Sequence, residues 1–183
     1  MKKLTDITLF KGMHPALYSS DGCHCNYVTD RSRRLEFATG ANGDDCMLLS
    51  CRLRIRARLY PHHHHRRTRQ NYYLVLITVL SGSLRYRNGS EAWIAEPGDM
   101  LITRPGDNSE YCTGPEETAE ISLLLFHGTL VEPIVRYSSF SNLPILHWDH
   151  PRVPEEYTAR IVEKMKDPSL PAREAESNLC YEF

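Results

Sequence analysis

Residues 72–111 read YYLVLITVLSG (72–82), SLRYRNG (83–89), SEAWIAEPGD (90–99) and MLITRPGDNSEY (100–111). Each piece is a short apolar or alternating run that ends in a turn signal, which is the pattern of consecutive strands. Tyr72 to Leu80 is rich in β-branched and aromatic residues, and Ser81-Gly82 ends it. Asn88-Gly89 reads as the two-residue loop of a type I′ hairpin, a turn that needs positive φ at both central positions. That loop sets Arg87 opposite Ser90, Tyr86 opposite Glu91, Arg85 opposite Ala92 and Leu84 opposite Trp93. Glu96-Pro97-Gly98-Asp99 and Arg104-Pro105-Gly106-Asp107 place two further turns. In each, proline fixes φ at the second position, glycine takes the conformation other residues resist, and Asp bonds back to the turn backbone. Strands at this spacing define a mainly β fold, a barrel or a sandwich.

Upstream, Cys51, Leu53, Ile55, Ala57 and Leu59 alternate with Arg52, Arg54, Arg56 and Arg58. A period of two means a strand with one apolar and one basic face, because a helix would scatter the arginines around its circumference. Pro61 ends it. His62 to His65, Arg66, Arg67 and Arg69 read as a basic loop entering the Tyr72 strand. Residues 1–47 form an N-terminal arm interrupted by Gly12, Pro15, Gly22, Gly40 and Gly43, with a strand expected at Arg34 to Ala38.

Downstream, Gly114-Pro115 makes a turn, and Glu120 to His127 is a strand apolar almost throughout, as burial on both faces requires. Pro133, Pro144 and Pro151 mark residues 129–153 as loops and short strands, with a strand at Leu143 to Trp148. The period then changes. Pro154, Glu155 and Glu156 suit a helix N-terminus and Lys164 and Lys166 its C-terminus, with Tyr157, Ile161, Val162 and Met165 as the buried stripe. After Asp167-Pro168 a second helix carries Ala172, Ala175, Leu179 and Phe183 on one face, and the chain stops on that stripe. The expected organisation is therefore an arm (1–47), a β-barrel (48–150) and a helical region (151–183) that continues into a longer protein.

The chain has 183 residues, 41% of them hydrophobic and 25% charged, with a net charge of −1. This is an ordinary globular composition, and it gives no global attraction to DNA or anionic membrane. No apolar run reaches the eighteen or so residues of a membrane span, and no secretory leader is recognisable, so a cytoplasmic protein is expected. The six cysteines fit that compartment as free thiols.

Cys23-His24-Cys25 and the histidine run invite a zinc reading. Neither carries the C-x₂₋₄-C or H-x₃₋₅-H spacing of tetrahedral sites, so a solvated basic loop is preferred and no metal is expected. The arginine stripe lacks interleaved aromatics, and the face of an outer strand, kept from edge pairing by charge, explains it better than a nucleic-acid track does. No phosphate loop, nucleophile elbow or zinc-protease motif occurs.

The order of Leu74 to Gly82, Pro97-Gly98-Asp99, Pro105-Gly106, Tyr111 and Phe126-His127-Gly128 resembles a cupin, and more narrowly the N-terminal sensing domain of AraC-type transcription regulators. The resemblance covers roughly residues 50–183. It implies a cupin/jelly-roll-type β-barrel followed by two C-terminal α-helices as a helical hairpin. Metal-using cupins place ligands at slots that here hold Arg69, Asn71, Val75 and Ser109. Valine and arginine cannot ligate, which argues against a cofactor or an enzyme; a stand-alone cupin enzyme on small sugars or acids is the rival reading. In sugar-sensing members of the family the effector sits inside the barrel against aromatics, with an arginine at the mouth. Tyr111 matches one such aromatic and Arg67 or Arg69 the arginine, whereas Ile121 and Leu123 stand where polar or aromatic contacts are usual. Trp93 and Tyr86 offer stacking faces for carbohydrate on chemical grounds alone. The expected partners are a small, sugar-like effector, a second copy through Tyr157, Ile161, Met165 and Leu179, and DNA only through a domain absent from this chain.

Overall fold

The computed structural model describes residues 2–4, 33–39, 49–67, 73–138, 142–150 and 152–165, together with 175, 178–180 and 182. The strands are β1 Lys2–Leu4, β2 Arg33–Thr39, β3 Ser50–Leu59, β4 His64–Arg67, β5 Leu74–Gly82, β6 Leu84–Asn88, β7 Glu91–Ala95, β8 Asp99–Thr103, β9 Ser109–Cys112, β10 Ala119–His127 and β11 Ile145–His147. Two helices, α1 Val131–Tyr137 and α2 Arg152–Met165, follow β10 and β11. The strands form a five-stranded sheet, ordered β1-β7-β6-β9-β4, and a six-stranded sheet, ordered β11-β8-β5-β10-β3-β2. Every strand pair is antiparallel. The fold is mainly β and cupin-like.

The two sheets enclose one core. Val75, Ile77 and Val79 of β5, Ile121, Leu123 and Leu125 of β10, and Ile55, Ala57 and Leu59 of β3 point into it, where they meet Leu84, Tyr86, Trp93 and Tyr111 of the smaller sheet. Alternate residues of the large sheet face outward. Leu74, Leu76, Met100, Ile102, Leu124 and Phe126 pack there beneath Val131 of α1, Ile161 of α2, and Leu179 and Cys180. Burial on both faces of Glu120 to His127 is thus observed, and strand alternation divides the residues between two cores.

The register departs from the expected one in two places. In the hairpin, Asn88 pairs with Glu91, Arg87 with Ala92, Tyr86 with Trp93, Arg85 with Ile94 and Leu84 with Ala95. The loop is therefore Gly89-Ser90, one residue on from the expected Asn88-Gly89. Gly89 has φ +60° and Ser90 is not among the positive-φ residues, so the turn is of type II′, which needs a glycine only at its first central position. In β3, Leu53 pairs with Leu125 and Cys51 with Phe126, so Arg52 is an extra residue, a β-bulge. It turns Cys51 from the inward set expected for it to the outer core.

Residues 129–153 hold a helix where only loops and short strands were expected. Pro133 is the third residue of α1. There its missing N–H belongs to the first turn, which has no intrahelical acceptor in any case. Glu132 pairs with Arg136 one turn on. The expected strand in this stretch is present as β11. α2 begins at Arg152, so Pro154 lies in its first turn as expected, and its buried face is Pro154, Thr158 and Ile161, with Tyr157 and Val162 only half-buried. The described residues of the second expected helix are helical.

Candidate functional site

The site is built on the inward face of the five-stranded sheet. His65 of β4 pairs with Tyr111 of β9, Tyr111 with Tyr86 of β6, and Tyr86 with Trp93 of β7. Residues paired across adjacent strands lie on the same face with their Cβ atoms about 5 Å apart, so these four side chains form one row across the sheet. The Tyr86 and Trp93 rings stack with centroids 5.9 Å apart. The Tyr111 ring lies 5.2 Å from His65 and 5.9 Å from His63. Three aromatics expected at an effector site are therefore brought together, and two histidines join them.

His62 to Arg67 is not the solvated loop expected from the sequence. Chain reversal after Pro61 leaves His62 at φ +63°, and His63 N–H then donates to Tyr60 C=O. Thr113 holds this corner: its N–H donates to His63 C=O, and its hydroxyl accepts from His63 N–H and donates to Tyr60 C=O at 2.7 Å. The strand β4 that follows alternates, placing His65 and Arg67 inward and His64 and Arg66 outward. His63 and His64 are both buried. Six consecutive basic side chains show no apolar–polar alternation, which is why the strand was missed; its signal is the partner strand Ser109–Cys112.

Arg67 is half-buried and pairs with Ser109 at the end of the row. Ser109 Oγ and Thr103 Oγ1 lie 3.1 Å apart, and Thr103 Oγ1 is 3.4 Å from Tyr86 Oη. These hydroxyls bridge the two sheets. Tyr86 donates to Ile102 C=O at 3.0 Å, so its hydroxyl is already committed, and burial pushes its pKa upward, partly offset by the Thr103 bond. Leu59, Val79, Leu84, Ala95 and Ala119 are buried at one end of the barrel, while Tyr73, Asn88 and Arg67 at the other end are half-buried beside the buried Thr103 and Ser109. Arg69, expected there too, lies outside the described residues, as do Cys23, His24, Cys25 and Asn71.

On the opposite face, Glu110 forms an ion pair with Arg87 and a hydrogen bond with His64 Nε2 at 3.1 Å. Burial raises the Glu110 pKa, but the His64 hydrogen bond and Arg87 outweigh it, and the carboxyl is held below its ordinary range. Burial pushes the Cys112 thiol up to about 12, so it is inert as a nucleophile. Among the described residues, no group of three or more His, Cys, Asp and Glu side chains comes together as metal ligands. Val75 and Ser109, at two of the cupin ligand slots, are buried.

The family model of the AraC-like ligand binding domain matches residues 52–182. The chain belongs to the AraC-like ligand binding domain family. No curated protein matches. Among solved structures, YhaK from Escherichia coli is 17% identical with a TM-score of 0.46, over 63% of this chain and 52% of that one, so the match spans about half of YhaK. A Cupin_2 domain of an XRE family transcriptional regulator from Enterobacter cloacae is 13% identical with a TM-score of 0.41, over 52% of this chain and 96% of that one. An HTH_3 family transcriptional regulator from Vibrio cholerae is 14% identical with a TM-score of 0.41, over 51% and 50%.

Of the four residues expected at a subunit contact, Ile161 and Leu179 are buried within this chain against the outer face of the large sheet. Tyr157 is half-buried, with the Arg160 guanidinium 5.3 Å from its ring centre. Met165 is the last residue of α2. No helix among the described residues is long and apolar enough to cross a membrane.

Proposed function

We propose that this AraC-like ligand binding domain is a regulatory, non-catalytic sensor that takes a small sugar-like effector into the barrel mouth. In this reading it passes occupancy to DNA-binding helices carried outside this chain, in a cytoplasmic transcription regulator. The observation that carries it is the inward row of His65, Tyr111, Tyr86 and Trp93, with Arg67 and the Thr103–Ser109 hydroxyls beside it. Aromatic faces stack on carbohydrate CH groups, and the polar rim takes hydroxyls. The residues of contact are Tyr111 and Arg67, with Arg69 entering from the loop, while Tyr86 and Trp93 back Tyr111.

Signal transfer requires that the effector favour one of two arrangements. α2 packs against the outer face of the sheet whose inner face lines the barrel, so a shift of β3 or β10 reaches Ile161 through Cys51, Leu124 and Phe126. Ile161 and Leu179 serve this docking, and a homodimer contact falls to Tyr157 and the C-terminal end of α2 at Met165.

A thermal-shift screen against neutral and acidic sugars, with and without divalent metal, tests the sensor reading. A ligand at a hundred times its dissociation constant adds roughly 2.7 kcal/mol of stability. A saturable, metal-independent shift that Tyr111→Ala abolishes is the expected result. A shift from metal alone, or turnover of a sugar, would reject it. For the dimer, Tyr157→Asp should halve the sedimenting mass; an unchanged mass removes Tyr157 from the contact.

A further inference from the structure

We infer that the exposed face of α1 is a docking site for the same face of a second copy of this chain, packed antiparallel across a two-fold axis. This contact is separate from the one proposed at Tyr157, and it does not rest on the sensor reading above.

On one side α1 packs against the outer core of the six-stranded sheet, with Val131 buried and Ile134 and Val135 half-buried. Its other side is exposed and consists of Glu132, Pro133, Arg136 and Tyr137. Residues four apart stand one above the other on a helix, so these side chains make two ridges, Glu132 with Arg136 and Pro133 with Tyr137. Tyr137 is 79% exposed, against 44% for Leu143, the next most exposed large hydrophobic among the described residues. The Arg136 guanidinium lies 6.0 Å from the Tyr137 ring centre and pairs with Glu132, yet both charged side chains stay mostly in solvent. An aromatic ring carries one of the largest apolar areas a side chain can bury, and here that area is left in water.

The two ridges are self-complementary. When two copies of a short helix pack antiparallel about a two-fold axis, the first turn of each meets the last turn of the other. Arg136 of each copy then lies against Glu132 of the other, and each Tyr137 ring closes on the other copy's Pro133. One rotation satisfies both ridges, because each pairs residues four apart and their midpoints differ by a single residue. A parallel arrangement would instead set Arg136 against Arg136 and Glu132 against Glu132. Charge thus selects both the occupant and its direction. A helix of seven residues is about 10 Å long, so the contact is small and the association weak.

The test is sedimentation equilibrium from roughly 10 µM to 1 mM, the range of small interfaces, on the wild type and on Tyr157→Asp, so that the two contacts are read apart. Both should self-associate with rising concentration. Added to either, Tyr137→Asp, Arg136→Glu or Glu132→Arg should raise the dissociation constant roughly tenfold or more, the two reversals by setting like charges opposite each other. An equimolar mixture of the Arg136→Glu and Glu132→Arg proteins restores opposite charges at both ends of the contact and should associate as the parent does. No effect confined to one chain produces that recovery. All three side chains are exposed, so each variant should keep the parent's thermal midpoint to within a few degrees. Tyr157→Asp remaining monomeric at 1 mM, an association indifferent to Tyr137→Asp, or a mixture no stronger than its components would each overturn the α1 contact. An association lost in Tyr157→Asp and kept in all three α1 variants would overturn it too and leave the Tyr157 contact standing.

Discussion

The two sheets of this barrel face the same interior with very different side chains. In the six-stranded sheet, β5 and β10 are buried on both faces and mostly apolar: they give Val75, Ile77, Val79, Ile121, Leu123 and Leu125 to the barrel and Leu74, Leu76, Leu124 and Phe126 to the helices. The five-stranded sheet turns an inward face of tyrosine, tryptophan, histidine and arginine toward the same interior. In the function proposed above, one sheet supplies cohesion and the other the contacts to the effector. Aliphatic packing is tight but carries no directional information, whereas aromatic and basic groups discriminate among ligands and stabilise less per residue.

If that division holds, the largest loss of stability comes from the outer core of the large sheet. Phe126 is 2% exposed, and Phe126→Ala should cost about 3–5 kcal/mol in urea unfolding. A cost below about 1 kcal/mol would show that the helices do not depend on this face. Next is Glu110, whose pKa is lowered in the folded state. The folded protein binds fewer protons there than the unfolded chain, so the stabilisation is present above the ordinary carboxylate value of 4.5 and is lost as pH falls through and below it. Glu110→Gln should flatten that acid limb in a pH series of unfolding curves, and an unchanged limb would assign it to other carboxylates.

Tyr86→Phe probes the boundary between the two uses. It deletes the bond to Ile102 C=O and leaves the ring on Trp93, so a loss of about 1 kcal/mol is expected. Effector affinity should change little, because that hydroxyl is already committed. The smallest effect is expected at His62. Relieving a left-handed conformation returns about 1–2 kcal/mol, and glycine's extra entropy takes back part of it. His62→Gly should therefore stabilise by about 0.5 kcal/mol, measured as a small rise in urea midpoint.

The same division explains what was legible in the sequence. Strands of the large sheet announce themselves, since alternation in Cys51 to Leu59 and continuous apolarity in Glu120 to His127 are direct records of burial. The twin Pro-Gly-Asp turns were equally plain, and both form as read: Asp99 Oδ2 accepts Glu96 N–H at 2.9 Å and Asp107 Oδ2 accepts Arg104 N–H at 3.0 Å. Tyr86 and Trp93 are candidate contacts on their chemistry, and Tyr111 on the family resemblance. The histidines could not be read so, because a run of like residues hides its own period, and the burial of His63 depends on Thr113, fifty residues away. The hairpin register slipped because Asn88-Gly89 satisfies one turn type and Gly89-Ser90 another, and only the Tyr86–Trp93 stack and the pairing of β6 with β9 choose between them. Helix α1 was hidden by a proline that its first turn tolerates.

The extra residue at Arg52 has a further meaning. A strand packed on both faces is two interleaved messages, one for each layer, and a single inserted residue acts on it as a frameshift acts on a gene. Before Arg52 the strand addresses the helices through Cys51; beyond it, Ile55, Ala57 and Leu59 keep their places in the barrel. Deleting Arg52 would close the bulge and set Cys51 directly before Leu53, still opposite Phe126 and on the helix side, so each layer would keep its message and the strand would read as one unbroken alternation.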